Sequence, residues 1–304
     1  AAVHLEQYRH ATFRSEDYYR EALLRDPGDY RCNTGYGELL LKKGLLKESE
    51  EFFRRAIERI TKHNPNPSDS KAHTLLGLSL LYQERYEEAY DAFYKAIWDG
   101  KQQELGYLYL GILKLRAKQY TEAIAFFQQS LIKNSHNLKT RGYLALAYRQ
   151  HGNEEQARQI LEETLVIDPF DPFALDIKHK QEKSNAKAAK STHCLLTLAG
   201  LYAEVGLHHS ALLVLDQGSD RNPMVLYHQA WNALKLNKTE EAATMVRRAE
   251  RLADSAFFPN TLEDLKVLQD LANFDEQRWK VHFLLGSYWY DTREHQRAKQ
   301  AWEC

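Results

Sequence analysis

Three cysteines in 304 residues, Cys32, Cys194 and Cys304, are an odd number too widely spaced for a disulfide framework. That scarcity fits a reducing, cytoplasmic compartment. Charge of one sign is missing too: 41 basic residues stand against 42 acidic ones, a net charge of −1. No basic excess therefore draws nucleic acid or an anionic membrane by bulk attraction. Mean hydropathy is −0.61, and no apolar run approaches the roughly 18 residues that a membrane helix needs. No secretory signal is visible at the start. Prolines number only 7 and glycines 14, and β-branched residues are scarce beside Leu, Ala, Glu, Lys and Gln. That balance favours helix throughout. Aromatics are plentiful, with 5 Trp, 18 Tyr and 12 Phe, and they supply the burial that a disordered chain lacks.

Motifs that carry chemistry are also missing. Gly35-Tyr36-Gly37 opens no dinucleotide-binding turn, because Leu40 stands where the third glycine belongs. Gly100-Lys101 has no phosphate-loop context, and no His-Glu-x-x-His or paired-cysteine pattern occurs. Glu204/His208, His151/Glu155 and Asp291/His295 are helical pairs that offer only two ligands each, which suits surface roles better than a metal. Cys32 and Cys194 stand at the start of expected helices, where a thiol's pKa can fall, but no matching His and acid can be assigned to them. The expectation is a non-enzyme with no catalytic, cofactor or metal residue.

What is present is a repeat. Gly77 is followed 12 residues later by Ala89, Gly111 by Ala123 and Ala145 by Ala157, with the leading residues 34 apart. The same couplet recurs at Gly37/Ser49, Ala199/Ala211, Ala230/Ala242 and Gly286/Ala298. A small residue on one helix and another on the antiparallel helix after it let two backbones approach closely, while large residues fill the ridges around them. Leucines precede the first small residue at 76, 110, 144, 198 and 285. Four residues after the second come Phe53, Phe93, Phe127, Leu161, Leu215, Val246 and Trp302. Turn signals fall between the members of a pair at Gly44, His151-Gly152-Asn153, Gly206 and Asn237. Proline closes second helices at Pro27, Asp168-Pro169 and Asn222-Pro223.

This pattern resembles the tetratricopeptide repeat, a helix-turn-helix unit of 34 residues. The fold expected is all-α, a superhelical solenoid of helical hairpins with two irregular inserts. Its parts are a partial repeat over 1–29, four repeats over 30–174, a linker or irregular helix over 175–192 and two repeats over 193–253. An insert with a short helix capped by Asn260 or Thr261 then spans 254–278, and a truncated final repeat 279–304. Runs such as His63-Asn64-Pro65-Asn66-Pro67, Asp168-Pro169-Phe170-Asp171-Pro172 and Phe258-Pro259-Asn260-Thr261 are similar to a narrower group. They resemble the repeat region of a bacterial family in which a β-rich, mutarotase-like domain of unknown function (DUF 5107) precedes the repeats. That resemblance implies a helical arm of a larger carbohydrate-active protein, with any chemistry upstream.

A stack of hairpins presents a long groove lined by first helices, which suits a peptide or helix of a partner protein, or the upstream domain of the same polypeptide. In the tetratricopeptide arrangement the inward positions lie six and three residues before the first small residue and one and four after it. They give an apolar stripe, Leu105, Leu108, Ile112 and Leu115, and an aromatic anchor, Met224, Tyr227 and Trp231. Arg116, Lys139, Arg149 and Lys235 flank these and favour an acidic segment. The same spacing also describes stripes covered by a neighbouring element. A carboxylate clamp of Lys and Asn is absent, since Thr34/Glu38 and Thr74/Leu78 hold its places. The final repeat ends at Cys304 with apolar faces around Trp289 and Trp302 uncapped, so self-association is expected there.

Overall fold

In a computed structural model, residues 2–7, 13–181, 191–218, 222–252, 257–274 and 279–303 are described, and they form eighteen α-helices and no strand. The chain divides into two compact units, Ala1–Ile167 and Asp168–Cys304. The first holds α1 (Ala2–Glu6), α2 (Ser15–Arg25), α3 (Tyr30–Lys42), α4 (Leu46–Thr61), α5 (Lys71–Tyr82), α6 (Tyr86–Ala96), α7 (Gln103–Arg116), α8 (Tyr120–Lys133), α9 (Leu138–Gln150) and α10 (Glu154–Ile167). Here α3/α4, α5/α6, α7/α8 and α9/α10 are hairpins, and α4, α6 and α8 each pack on the next first helix.

The second unit holds α11 (Pro172–Gln181), α12 (Thr192–Glu204), α13 (His208–Leu215), α14 (Pro223–Lys235), α15 (Thr239–Glu250), α16 (Leu262–Phe274), α17 (Trp279–Asp291) and α18 (His295–Glu303). Its hairpins are α12/α13, α14/α15 and α17/α18.

All seven couplets sit where two helices touch. The second small residue, from Ser49 to Ala298, is fully buried in every one. A complementarity runs through the set. Where the first residue is Gly37, Gly77 or Gly111, a Cβ would stand 2.5–2.6 Å from the ring of Phe53, Phe93 or Phe127, and at Gly286 it would meet Trp302. Where it is Ala145, Ala199 or Ala230, the corresponding residue is the smaller Leu161, Leu215 or Val246. Volume lost on one helix is thus made up on the other, as close packing requires.

The turns are equally regular. Seven residues after each first small residue the backbone takes a positive φ: Gly44, Glu84, Lys118, Gly152, Gly206, Asn237 and Arg293, with φ between 59° and 88°. The next amide bonds back across the helix end, as in Leu45 N–H to the Leu40 carbonyl at 2.9 Å and Arg85 N–H to that of Leu80 at 3.0 Å. This is a Schellman-type closure, and it satisfies carbonyls that the helix end leaves open.

The first insert, expected as a linker or irregular helix, begins as a helix. Residues 172–181 are helical, and Tyr202 of α12 donates to buried Asp176 at 2.9 Å while its ring meets Phe173 edge-on. The first compact unit ends at Ile167, and α11 packs on α12 in the second. The rest of the linker, 182–190, lies outside the described residues, as do 253–256 and 275–278 of the second insert. The helix in that insert, α16, is as long as α14. Thr261 caps it: its hydroxyl accepts from Asp264 N–H at 3.0 Å, and the Asp264 carboxylate accepts from Thr261 N–H at 3.3 Å, a capping box.

Candidate protein-binding faces

In the first unit the expected apolar stripe splits. Leu108, Ile112 and Leu115 are buried, while Leu105 is 42% exposed. The cause is packing on three sides, since α7 lies against α6, α8 and the next first helix, α9. Those three residues are core rather than groove lining. What stays open is the row six residues ahead of the small residue: Arg31 and Lys71 exposed, Leu105 exposed, Lys139 half-buried. Lys71 bonds Glu38 at 2.6 Å, tying α5 to α3. Burial works against ionisation of Glu38, yet Lys71 and Lys42 outweigh it and hold that carboxyl below the usual range. The Lys139 ammonium stands over the rings of Tyr109 at 5.5 Å and Tyr143 at 5.7 Å. Arg116 lies over Tyr86 at 4.4 Å, and Arg149 is 3.8 Å from Glu154.

In the second unit the aromatic anchor is covered by the chain itself. Met224 and Tyr227 are buried, and the Tyr227 hydroxyl donates to Glu250 at 3.1 Å. Trp231 is half-buried; its indole N–H donates to Asp270 of α16 at 2.8 Å. Lys235 stacks on the Trp231 ring at 5.2 Å and lies 3.6 Å from the same carboxylate. Nearer the start of α16, Nε2 of buried His228 is 2.8 Å from buried Asp264. Burial opposes charge on Asp264, but His228 and the Asn260 amide hold its carboxyl below the usual range. His228 meets Asp264 and Lys235 meets Asp270, so α14 and α16 run in the same direction, with α16 between α14 and α17. Helix α16 thus occupies the face of α14 where a partner was expected. Sequence spacing missed the His228–Asp264 pair. Its one visible signal was Thr261-Leu262-Glu263-Asp264, a cap signature inside a stretch that otherwise read as irregular.

A third face lies on the last hairpin. Of the two tryptophans around which exposed apolar faces were expected, Trp289 is itself buried and Trp302 is exposed; Cys304 lies outside the described residues. Trp279, Phe283, Tyr290 and Trp302 are each between 46% and 58% exposed. A cavity of about 430 Å³ is lined by Trp279, His282, Phe283, Ala301 and Trp302. Nε2 of His282 is buried and has no hydrogen-bond partner.

Burial, with Asp29 adding to it, pushes the Cys32 thiol up, away from a reactive thiolate. Among the described residues no three His, Cys, Asp or Glu side chains gather as metal ligands would. None of their helices is long and apolar enough to cross a membrane.

Family models for the tetratricopeptide repeat match residues 14–65, 54–104 and 114–176. The chain carries tetratricopeptide repeats. A tetratricopeptide repeat protein from Parabacteroides merdae ATCC 43184 superposes with a TM-score of 0.50 at 15% identity, over 86% of this chain and 90% of that one. Yeast Tom70 superposes with the same score at 15% identity, over 88% of this chain and 59% of that one. At such identity the likeness is one of fold. Tetratricopeptide repeats generally mediate contacts between proteins, and α12–α15 with α17–α18 extend the same couplets past residue 176.

Proposed function

We propose that the chain is a non-catalytic scaffold that holds an acidic segment of a partner protein against the first helices of α3–α9. The observation that carries this is the open row Arg31, Lys71, Leu105 and Lys139, one apolar side chain flanked by cations on successive first helices. Arg116 and Arg149 add positive charge toward the ends of α7 and α9. A partner peptide with carboxylates around one leucine or phenylalanine matches that order of charges. In the second unit α16 fills this role in cis, through Trp231 and Lys235 of α14.

Selection of displayed random peptides on the chain tests the proposal. Recovered peptides are expected to carry Asp or Glu beside a large apolar residue, and to bind at least tenfold more weakly to Leu105→Asp and Lys139→Glu. Peptides without acidic residues, or bound equally by both variants, would remove the basis for it. Weak association between copies through the exposed rings of α17 and α18 belongs to the same reading when no other protein covers them, and light scattering across a concentration series reads it. The motif likeness at residues 63–67, 168–172 and 258–261 supports a second reading, a helical arm of a larger bacterial carbohydrate-active protein, in contact with that protein's own β-rich domain. Sequence of the gene upstream of Ala1 decides that reading. The widely spaced cysteines support a cytoplasmic setting.

A further inference from the structure

Helix α6 carries aromatic rings where its counterparts carry charge. In each second helix, the places three before the buried small residue and one, five and nine after it form one column. On α4 that column reads Leu46, Glu50, Arg54, Glu58, and on α10 it reads Glu154, Arg158, Glu162, Val166. Those are solvated faces. On α6 it reads Tyr86, Tyr90, Tyr94, Trp98, one ring to each turn.

The first two rings are covered by cations of α7. Arg116 stands 4.4 Å from the centroid of Tyr86, and Lys114 stands 4.9 Å from that of Tyr90. Tyr94 stacks on Tyr90 with centroids 6.2 Å apart. Beyond it the column is open: Tyr94 is 46% and Trp98 57% exposed, with the Lys95 ammonium 6.0 Å from the Trp98 ring. Among the described residues, neither the Tyr94 hydroxyl nor the Trp98 indole N–H has a hydrogen-bond partner. The buried side of α6 is already filled by Ala89, Ala92, Phe93 and Ala96, so packing requires neither open ring.

This face offers flat apolar rings together with donors, in the hydroxyl, the indole and the ammonium. Its complement is a ligand with apolar faces, carbonyl acceptors and few donors of its own. Proline answers that description, being a ring with a carbonyl and no N–H. A run of prolines holds the polyproline II helix, whose carbonyls have no internal partner, whereas an α-helix spends its carbonyls on itself. The chain's own 7 prolines, Pro27, Pro65, Pro67, Pro169, Pro172, Pro223 and Pro259, never come three within ten residues, so these 304 residues hold no such run.

We propose that Tyr94 and Trp98 bind a proline-rich segment of another protein in the polyproline II conformation. Its prolines lie against the two rings, and its carbonyls accept from the Tyr94 hydroxyl and the Trp98 indole. The site stands on a second helix and does not depend on the row of first-helix residues being a binding face.

The probe is a fluorescein-labelled decaproline, with the decamer of D-proline as its mirror-image control. Titration with the whole chain is expected to give a saturable rise in anisotropy for the L form alone. Tyr94→Ala and Trp98→Ala each weaken binding at least tenfold with the melting temperature unchanged, since both side chains are exposed. Tyr94→Phe, which keeps the ring and loses the donor, weakens it severalfold. Lys139→Glu, which disables the first-helix row, binds decaproline as the parent does, so the two proposals fail separately. Absence of binding, equal binding of the D form, or full binding by Tyr94→Ala, Trp98→Ala or Tyr94→Phe overturns the proposal. So does loss of binding in Lys139→Glu, or a dimer in sedimentation that Trp98→Ala dissociates and decaproline does not.

Discussion

Phe127→Ala is expected to remove about 3–5 kcal/mol of stability from the first unit, the cost of emptying a fully enclosed aromatic site. Its partner substitution, Gly111→Ala, places a Cβ about where the Phe127 ring now lies, 2.5 Å from its nearest carbon. Overpacking of that kind costs about 1–3 kcal/mol. The informative variant combines Gly111→Ala with Phe127→Leu. Ala145 and Leu161 already form that pair one repeat later, so the double variant should lose clearly less than the two single changes added together. Urea unfolding monitored with hydrogen exchange along α7–α10 measures all four states, since repeat arrays need not unfold in one step. Strict additivity would mean that the glycine and the ring do not share one space, and the complementarity drawn across seven couplets would go with it.

Acid should weaken the first unit well before its carboxylates titrate. His73 on α5 is buried and its Nδ1 has no hydrogen-bond partner. Burial, with Lys95 contributing, pushes it down from 6.5 to about 4. The unfolded chain therefore takes up a proton near pH 6.5 while the folded one does not until about pH 4. Stability is full above the upper value, falls as pH drops through this window, and the loss is complete below the lower one. A shift of that size corresponds to about 3 kcal/mol at most. Urea midpoints between pH 7 and pH 4.5 measure the slope, and His73→Leu should flatten it. An unchanged slope in that variant would assign the acid sensitivity elsewhere.

Much of this architecture could be read before any coordinates. Small residues 12 apart mark real helix contacts, because only Gly, Ala or Ser fits between backbones so close, and that constraint is written in the residue itself. Turns at Gly44, Gly152, Gly206 and Asn237 were legible for the same reason: these types favour a positive φ. Glu84, Lys118 and Arg293 adopt the identical turn without such a signal, since the packing of their two helices imposes it. The binding faces were harder. Spacing shows that Leu105, Leu108, Ile112 and Leu115 share a side of α7, but not that α9 closes over three of them. Spacing also cannot show that α16 folds back on Trp231, because that contact depends on two aspartates some 30–40 residues away in sequence.

Those seven turns have a mechanical side. Glycine rests in the left-handed conformation without strain, whereas a residue with a Cβ gives up about 1 kcal/mol there. The joints at Glu84, Lys118 and Arg293 are therefore softer than those at Gly44, Gly152 and Gly206. Pulled from its ends, such a chain would not come apart link by link in sequence order. It would yield first at the charged joints, and the glycine-hinged hairpins would be the last to let go.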